Sequence, residues 1–126
     1  GIADRFHFTG FLRGADVDKM FQLSDVFVMP SVSEPFGIAP LEAMRSNVPV
    51  IISKQSGVAE VLDYAVKVDY WDVDAMADAI YGLVNYPALS KMFAEKGLEE
   101  VTSLKWNHAS AKIKKVYEDA INECNK

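Results

Sequence analysis

The chain holds one cysteine, two histidines and five prolines in 126 residues. A lone thiol, Cys124 in a polar tail, cannot close an internal disulfide, and it fits a reducing, cytoplasmic setting. No cluster of His, Cys, Asp or Glu has metal-ligand spacing, so no metal is expected. Ser31 and Ser33 lack a Gly-x-Ser-x-Gly turn and an evident triad, which argues against a hydrolase. No apolar run approaches the roughly 20 residues that cross a bilayer, so no transmembrane segment is expected. No secretory leader pattern opens the chain. Positive charge is scarce: 13 Lys and Arg against 18 Asp and Glu leave a formal net charge of -5. That balance offers no basic patch for nucleic acid, and no such partner is expected. Internal repeats, low-complexity tracts and flexible linkers are also missing.

Half of the residues are hydrophobic, enough for a core of one domain or a piece of one. Arg5–Thr9 alternates Phe6 and Phe8 and reads as a strand ending in a turn at Gly10. Asp16 or Asp18 then caps a short helix running to about Leu23. Val26–Met29 is a second strand, apolar on both faces as in a covered parallel sheet. Ile38–Ser46 is a helix with Pro40 in its first turn, where a missing N–H costs little. Pro49–Ser53 is a third strand, Val58–Leu62 a short helix and Ala65–Val68 a fourth strand. Asp74–Asn85 is a helix with Met76, Ala77, Ile80, Leu83 and Val84 inward. Strands and helices alternating over short connections predict an α/β domain with a parallel sheet through residue 86. Residues 87–126 carry only helical patterns, Ala88 to about Val101 and Asn107 to about Glu123.

One stretch carries the chemistry: Ser31-Val32-Ser33-Glu34-Pro35-Phe36-Gly37-Ile38-Ala39-Pro40-Leu41-Glu42-Ala43-Met44. It leaves an apolar strand and enters an amphipathic helix through small polar residues and a glycine. That order presents backbone N–H groups to an anion. Glu34 stands before the turn and Glu42 inside the helix, so carboxylates flank a phosphate-ready segment. A ligand anionic at one part and rich in hydroxyls at another, such as a nucleotide sugar, matches this layout. Elsewhere, His7, His108 and Glu60 read as structural, and Trp71 and Trp106 as packing anchors.

Several segments follow one another in a known order. They are Phe8-x-Gly10, Ser24–Ser31, Glu34-Pro35-Phe36-Gly37, Leu41-Glu42-Ala43, Pro49-Val50-Ile51, Ser56-Gly57-x-x-Glu60 and Trp106. In these the chain resembles the second half of the C-terminal domain of a GT-B glycosyltransferase, of the retaining, glycogen-synthase-like group 1. Two glutamates with seven residues between them, here Glu34 and Glu42, are that group's hallmark. The resemblance implies a partial, Rossmann-like nucleotide-sugar-binding domain with a helical C-terminal third. It also implies a hexosyltransferase that moves a sugar from a nucleotide-sugar donor to an acceptor hydroxyl, with no cofactor besides the donor. Glu34 would be the catalytic carboxylate, hydrogen-bonding the donor sugar. Phe36, Gly37 and Ile38 would line the sugar and phosphate, with the backbone of Leu41 at the phosphate end. Glu42 would take the ribose hydroxyls, and Gly10, Phe11 and Leu12 would lie beside the base. The group's basic phosphate-binding pair and its N-terminal acceptor domain would precede Gly1, so the chain reads as a fragment, inactive by itself. Two positions depart from the group's pattern: Ser56-Gly57 replaces a common Gly-Gly, and Ala65-Val66-Lys67 lacks a usual glycine.

Two other classes compete. A non-catalytic nucleotide- or phosphate-binding α/β module would differ only in what lies upstream. A flavodoxin-like signalling domain would need an acidic cluster and a phospho-acceptor Asp at the end of the first strand, where Thr9-Gly10 stands.

Overall fold

The computed structural model describes residues 1–34, 37–104 and 106–125, with 106–113 described by their backbone alone. Three short strands, β1 (Phe27–Met29), β2 (Val50–Ser53) and β3 (Val66–Val68), form a parallel sheet in the order β1-β2-β3. Phe27 pairs with Val50 in one ladder and Ile51 with Val66 in the other. The helices are α1 (Ala15–Leu23), α2 (Ala39–Arg45), α3 (Val73–Asn85), α4 (Pro87–Ser103) and α5 (Trp106–Cys124). The α/β parallel architecture expected from the strand–helix alternation is therefore present.

Every residue of β2 is buried, because both faces of the sheet are covered. Val50 and Ile52 point to one face, into a core with Leu41 and Met44 of α2, Val58, Leu62 and Val101 of α4. Ile51 points to the other, where Val68, Leu83 and Phe93 meet Ala75, Met76 and Ala79 of α3. Period-2 alternation thus splits one apolar run between two cores. Burying side chains of this size contributes roughly 1.5–3 kcal/mol each, so β2 is the best-anchored strand. The approach of α4 to α2 is close: a Cβ on Gly97 would stand 3.1 Å from Met44 Cε.

Helix ends follow local chemistry. Asp72 Oδ1 accepts from the Ala75 N–H at 3.0 Å and caps α3. α2 ends as a Schellman turn: Val48 N–H donates to the Ala43 carbonyl, Asn47 N–H to that of Met44, and Asn47 takes φ 63°.

Four expectations need correction. Arg5–Thr9 is not a strand: a single 3-10 turn, Ala3–Arg5, precedes extended backbone. Phe8 is 93% exposed and His7 is exposed too. Alternation supplies a face, but a strand also needs a neighbour's N–H and C=O groups, and no described strand pairs here. Among the described residues the sheet therefore has three strands, not four. The N-cap of α1 is Gly14, whose positive φ of 57° suits a residue without Cβ; Asp16 and Asp18 lie in the first turn rather than at the cap. The inward face of α3 is Ala75, Met76, Ala79 and Leu83, while Ala77, Ile80 and Val84 are exposed. The helix is rotated because Met76 and Leu83 answer Ile51 and Val68 across the sheet. Trp71 is 61% exposed, edge-on to Tyr70 at 5.0 Å, and anchors no core. The Trp106 and His108 side chains lie outside the described residues.

Candidate functional site

In a parallel α/β sheet each strand feeds a loop at its carboxyl end, and a helix then returns antiparallel to the strand. The N-termini of the helices therefore gather at that end. The loop after β1 carries Glu34, the loop after β2 carries Ser56 and Gly57, and α2 starts just beyond Gly37. Glu34 and Ser56 form an isolated parallel bridge, and the Gly57 N–H donates to the Glu34 carbonyl at 2.7 Å. Two hydroxyls brace this junction. Ser53 Oγ donates to the Ser31 carbonyl at 2.6 Å, and Ser56 Oγ donates to the Ser53 carbonyl at 2.7 Å. The backbone around Glu34 is thus tied to β2, while the carboxylate has no hydrogen-bond or ion-pair partner among the described residues.

Glu42 lies in the first turn of α2, exposed. It lines an open cleft of about 460 Å³ with Leu12, Arg13, Gly14, Val17, Asp18, Arg45 and Ser46. The structure therefore brings together two sequence-predicted positions distant along the chain, Leu12 and Glu42. The lining mixes two guanidiniums with two carboxylates, so it offers charged donors to an anion and acceptors to hydroxyls. Arg13 and Arg45 were not among the expected residues. Arg45 could have been found from its i, i+3 spacing to Glu42, which shares a helix face. Arg13 had no such signal; its guanidinium sits 4.9 Å from the centre of the Phe11 ring.

The other expected residues divide. Gly10 and Phe11 do not line that cleft: Gly10 turns the chain at φ 69°, and the Phe11 ring is exposed. Leu41 is 2% exposed, and its side chain belongs to the core. Ile38 is exposed and precedes α2. Gly37 is buried, and a Cβ there would meet Met29 Cε at 2.9 Å and Pro40 Cδ at 3.3 Å, so packing accounts for its missing side chain. Phe36 lies outside the described residues. Among the described residues no group of His, Cys, Asp and Glu could hold a metal ion. No described helix is long and apolar enough to cross a membrane.

A parallel sheet covered by helices on both faces defines an α/β domain. A model of the family described as "Glycosyl transferases group 1" matches residues 1–100, and the chain belongs to that family. It is 30% identical over 113 residues to a sulfoquinovosyl transferase of Arabidopsis thaliana, covering 85% of this chain and 22% of that protein. Its fold matches sucrose-phosphate synthase from Thermosynechococcus elongatus with a TM-score of 0.84 and 28% identity, over 97% of this chain and 32% of that one. It also matches the C-terminal domain of a group 1 glycosyl transferase from Francisella tularensis at a TM-score of 0.69 and 27% identity, over 77% and 52% of the two chains. The chain spans well under half the length of the curated relatives it matches. The resemblance to the C-terminal part of a group 1, GT-B glycosyltransferase, carried by the segments from Phe8 to Trp106, agrees with the family match and with the shared fold.

Proposed function

We propose that the whole protein is a retaining glycosyltransferase, and that this chain supplies part of its nucleotide-sugar donor site. The observation that carries this reading is the cleft shared by Glu42 and Leu12–Gly14, between the N-terminal end of α1 and the flank of α2 that runs from Glu42 to Arg45 and Ser46. In it Glu42 accepts hydrogen bonds from the ribose hydroxyls, with Leu12 toward the base and Gly10 and Phe11 beside it, outside the cleft lining. Backbone N–H groups of Gly37, Ile38, Ala39 and Leu41, with Phe36, face the phosphates and the sugar, Pro40 having no N–H to give. Glu34 hydrogen-bonds the sugar and orients it for attack by the acceptor hydroxyl. The leaving phosphate gains negative charge as the glycosidic bond breaks, and N–H donors already in place stabilise it without reorganising. α2 has seven residues, so its contribution is the placement of those N–H groups more than a long dipole. The acceptor binds mainly to a separate N-terminal domain. A cytoplasmic setting is part of the same proposal and rests on the single exposed thiol, Cys124.

Kinetics of the full-length enzyme test this. Glu42→Ala should raise the donor KM by about ten- to a hundredfold, the equivalent of a charged acceptor worth roughly 1.5–3 kcal/mol. Glu34→Ala should lower kcat more than it raises KM, since its partner is the reacting sugar. Neither should shift Tm appreciably, because Glu42 is exposed and Glu34 half-buried. A variant that melts early yet keeps normal kinetics would make these glutamates structural and sink the donor-site reading.

A further inference from the structure

The loop that carries Glu34 is held from one side by two buried hydroxyls. Ser53, the last residue of β2, is fully buried, and Ser56 is 2% exposed. They are the buried polar residues of a core otherwise built from apolar side chains. Each is satisfied, and each bond serves the same junction. Ser53 Oγ reaches across to the Ser31 carbonyl at 2.6 Å, fixing the start of the loop. Ser56 Oγ folds back on the Ser53 carbonyl at 2.7 Å, and the Ser56 N–H donates to that same carbonyl at 3.1 Å. This tightens the turn that delivers the Gly57 N–H to the Glu34 carbonyl at 2.7 Å. On its other side the end of β2 is fixed by β3, through the Lys54 N–H to the Val68 carbonyl at 2.8 Å. The Glu34 backbone therefore inherits its position from the rigid middle strand, through two buried hydroxyls.

From this we infer that Ser53 and Ser56 are positioning residues for Glu34: they hold its carboxylate in register for the donor sugar and take no part in binding it. The inference rests on the role proposed for Glu34. A core packing the same atoms needs no hydroxyl at either site. Alanine at position 53 would leave the Ser31 carbonyl without its donor and free the loop to sample other placements. Sub-ångström displacement of a group that orients a reacting sugar costs turnover far more than affinity.

The test is a double-mutant cycle in the full-length enzyme, read under single-turnover conditions with enzyme in excess so that slow variants stay measurable. Ser53→Ala should lower the rate of sugar transfer about tenfold, with the donor KM within about twofold of the parent. Placed on Glu34→Ala, the same substitution should lower the rate no further, because the group it positions is already gone. Ser56→Ala should behave alike, and it carries the test if Ser53→Ala does not fold. An equal loss in both backgrounds, or a loss expressed in KM, would overturn the positioning role. So would unchanged turnover in the serine variants while Glu34→Ala is impaired. If Glu34→Ala itself transfers sugar normally, the donor-site reading falls instead, which keeps the two failures apart.

Discussion

Asn47 is, among the described residues, the one non-glycine with a positive φ, and it sits where α2 hands over to β2. Its left-handed backbone lets Val48 turn into the core as the Ala43 and Met44 carbonyls find donors. A Cβ without a short polar side chain costs roughly 1–2 kcal/mol in that region. Asn47→Ala should therefore lower stability by about 1 kcal/mol, and Asn47→Gly should leave it equal or higher, in urea unfolding of the chain. At this scale the candidate site was partly legible. Glu34, Glu42 and Gly37 could be named as candidates because the glutamate pair is embedded in the Glu34-Pro35-Phe36-Gly37 and Leu41-Glu42-Ala43 segments that carry the resemblance, since a carboxylate or glycine in a turn is common by itself. Arg13 was hidden, since a loop cation shows its neighbours only after folding, and Ser53 was hidden because a strand-end serine looks like any other.

Among the elements, α4 is bound to the sheet layer by more than apolar contact. The Glu100 carboxylate accepts from the backbone N–H groups of Asp63 and Tyr64, at 2.7 and 3.0 Å. These hold the turn that leads into β3. Glu100→Ala should cost about 1–2 kcal/mol, after discount for solvent at this exposed turn. The melting temperature should then fall by about 4–8 °C, which calorimetry can follow. The helices and β1 to β3 were readable because burial imposes their period on the sequence directly. Arg5–Thr9 was misread for the opposite reason. Strand identity depends on a partner's backbone, which a local pattern of Phe6 and Phe8 does not contain. The rotation of α3 was also beyond reach: Val73, Ala77, Ile80 and Val84 make a second apolar stripe, and only the sheet's demand for Met76 and Leu83 decides between the two.

For the molecule as a whole, the chain spans 22% of its Arabidopsis relative and 32% of the sucrose-phosphate synthase it superposes on. Under the proposed function, the acceptor site and the cations that clamp the donor phosphates belong to the rest of the protein. The isolated 126-residue chain should then release no nucleoside diphosphate from any nucleotide sugar, with or without acceptor, in a coupled assay. Turnover by this piece would overturn that division of labour. The register of the sheet has a further consequence, in time. Phe27 meets Val50 and Ile51 meets Val66, so neither ladder can zip up from a tight hairpin. Each pairing must close a loop first, with α2 inside one and the Gly57–Glu60 turn inside the other. A substitution that weakens α2 should therefore slow closure of the β1–β2 ladder, a change that stopped-flow refolding would read, while the β2–β3 ladder depends on the shorter connection through Gly57–Glu60.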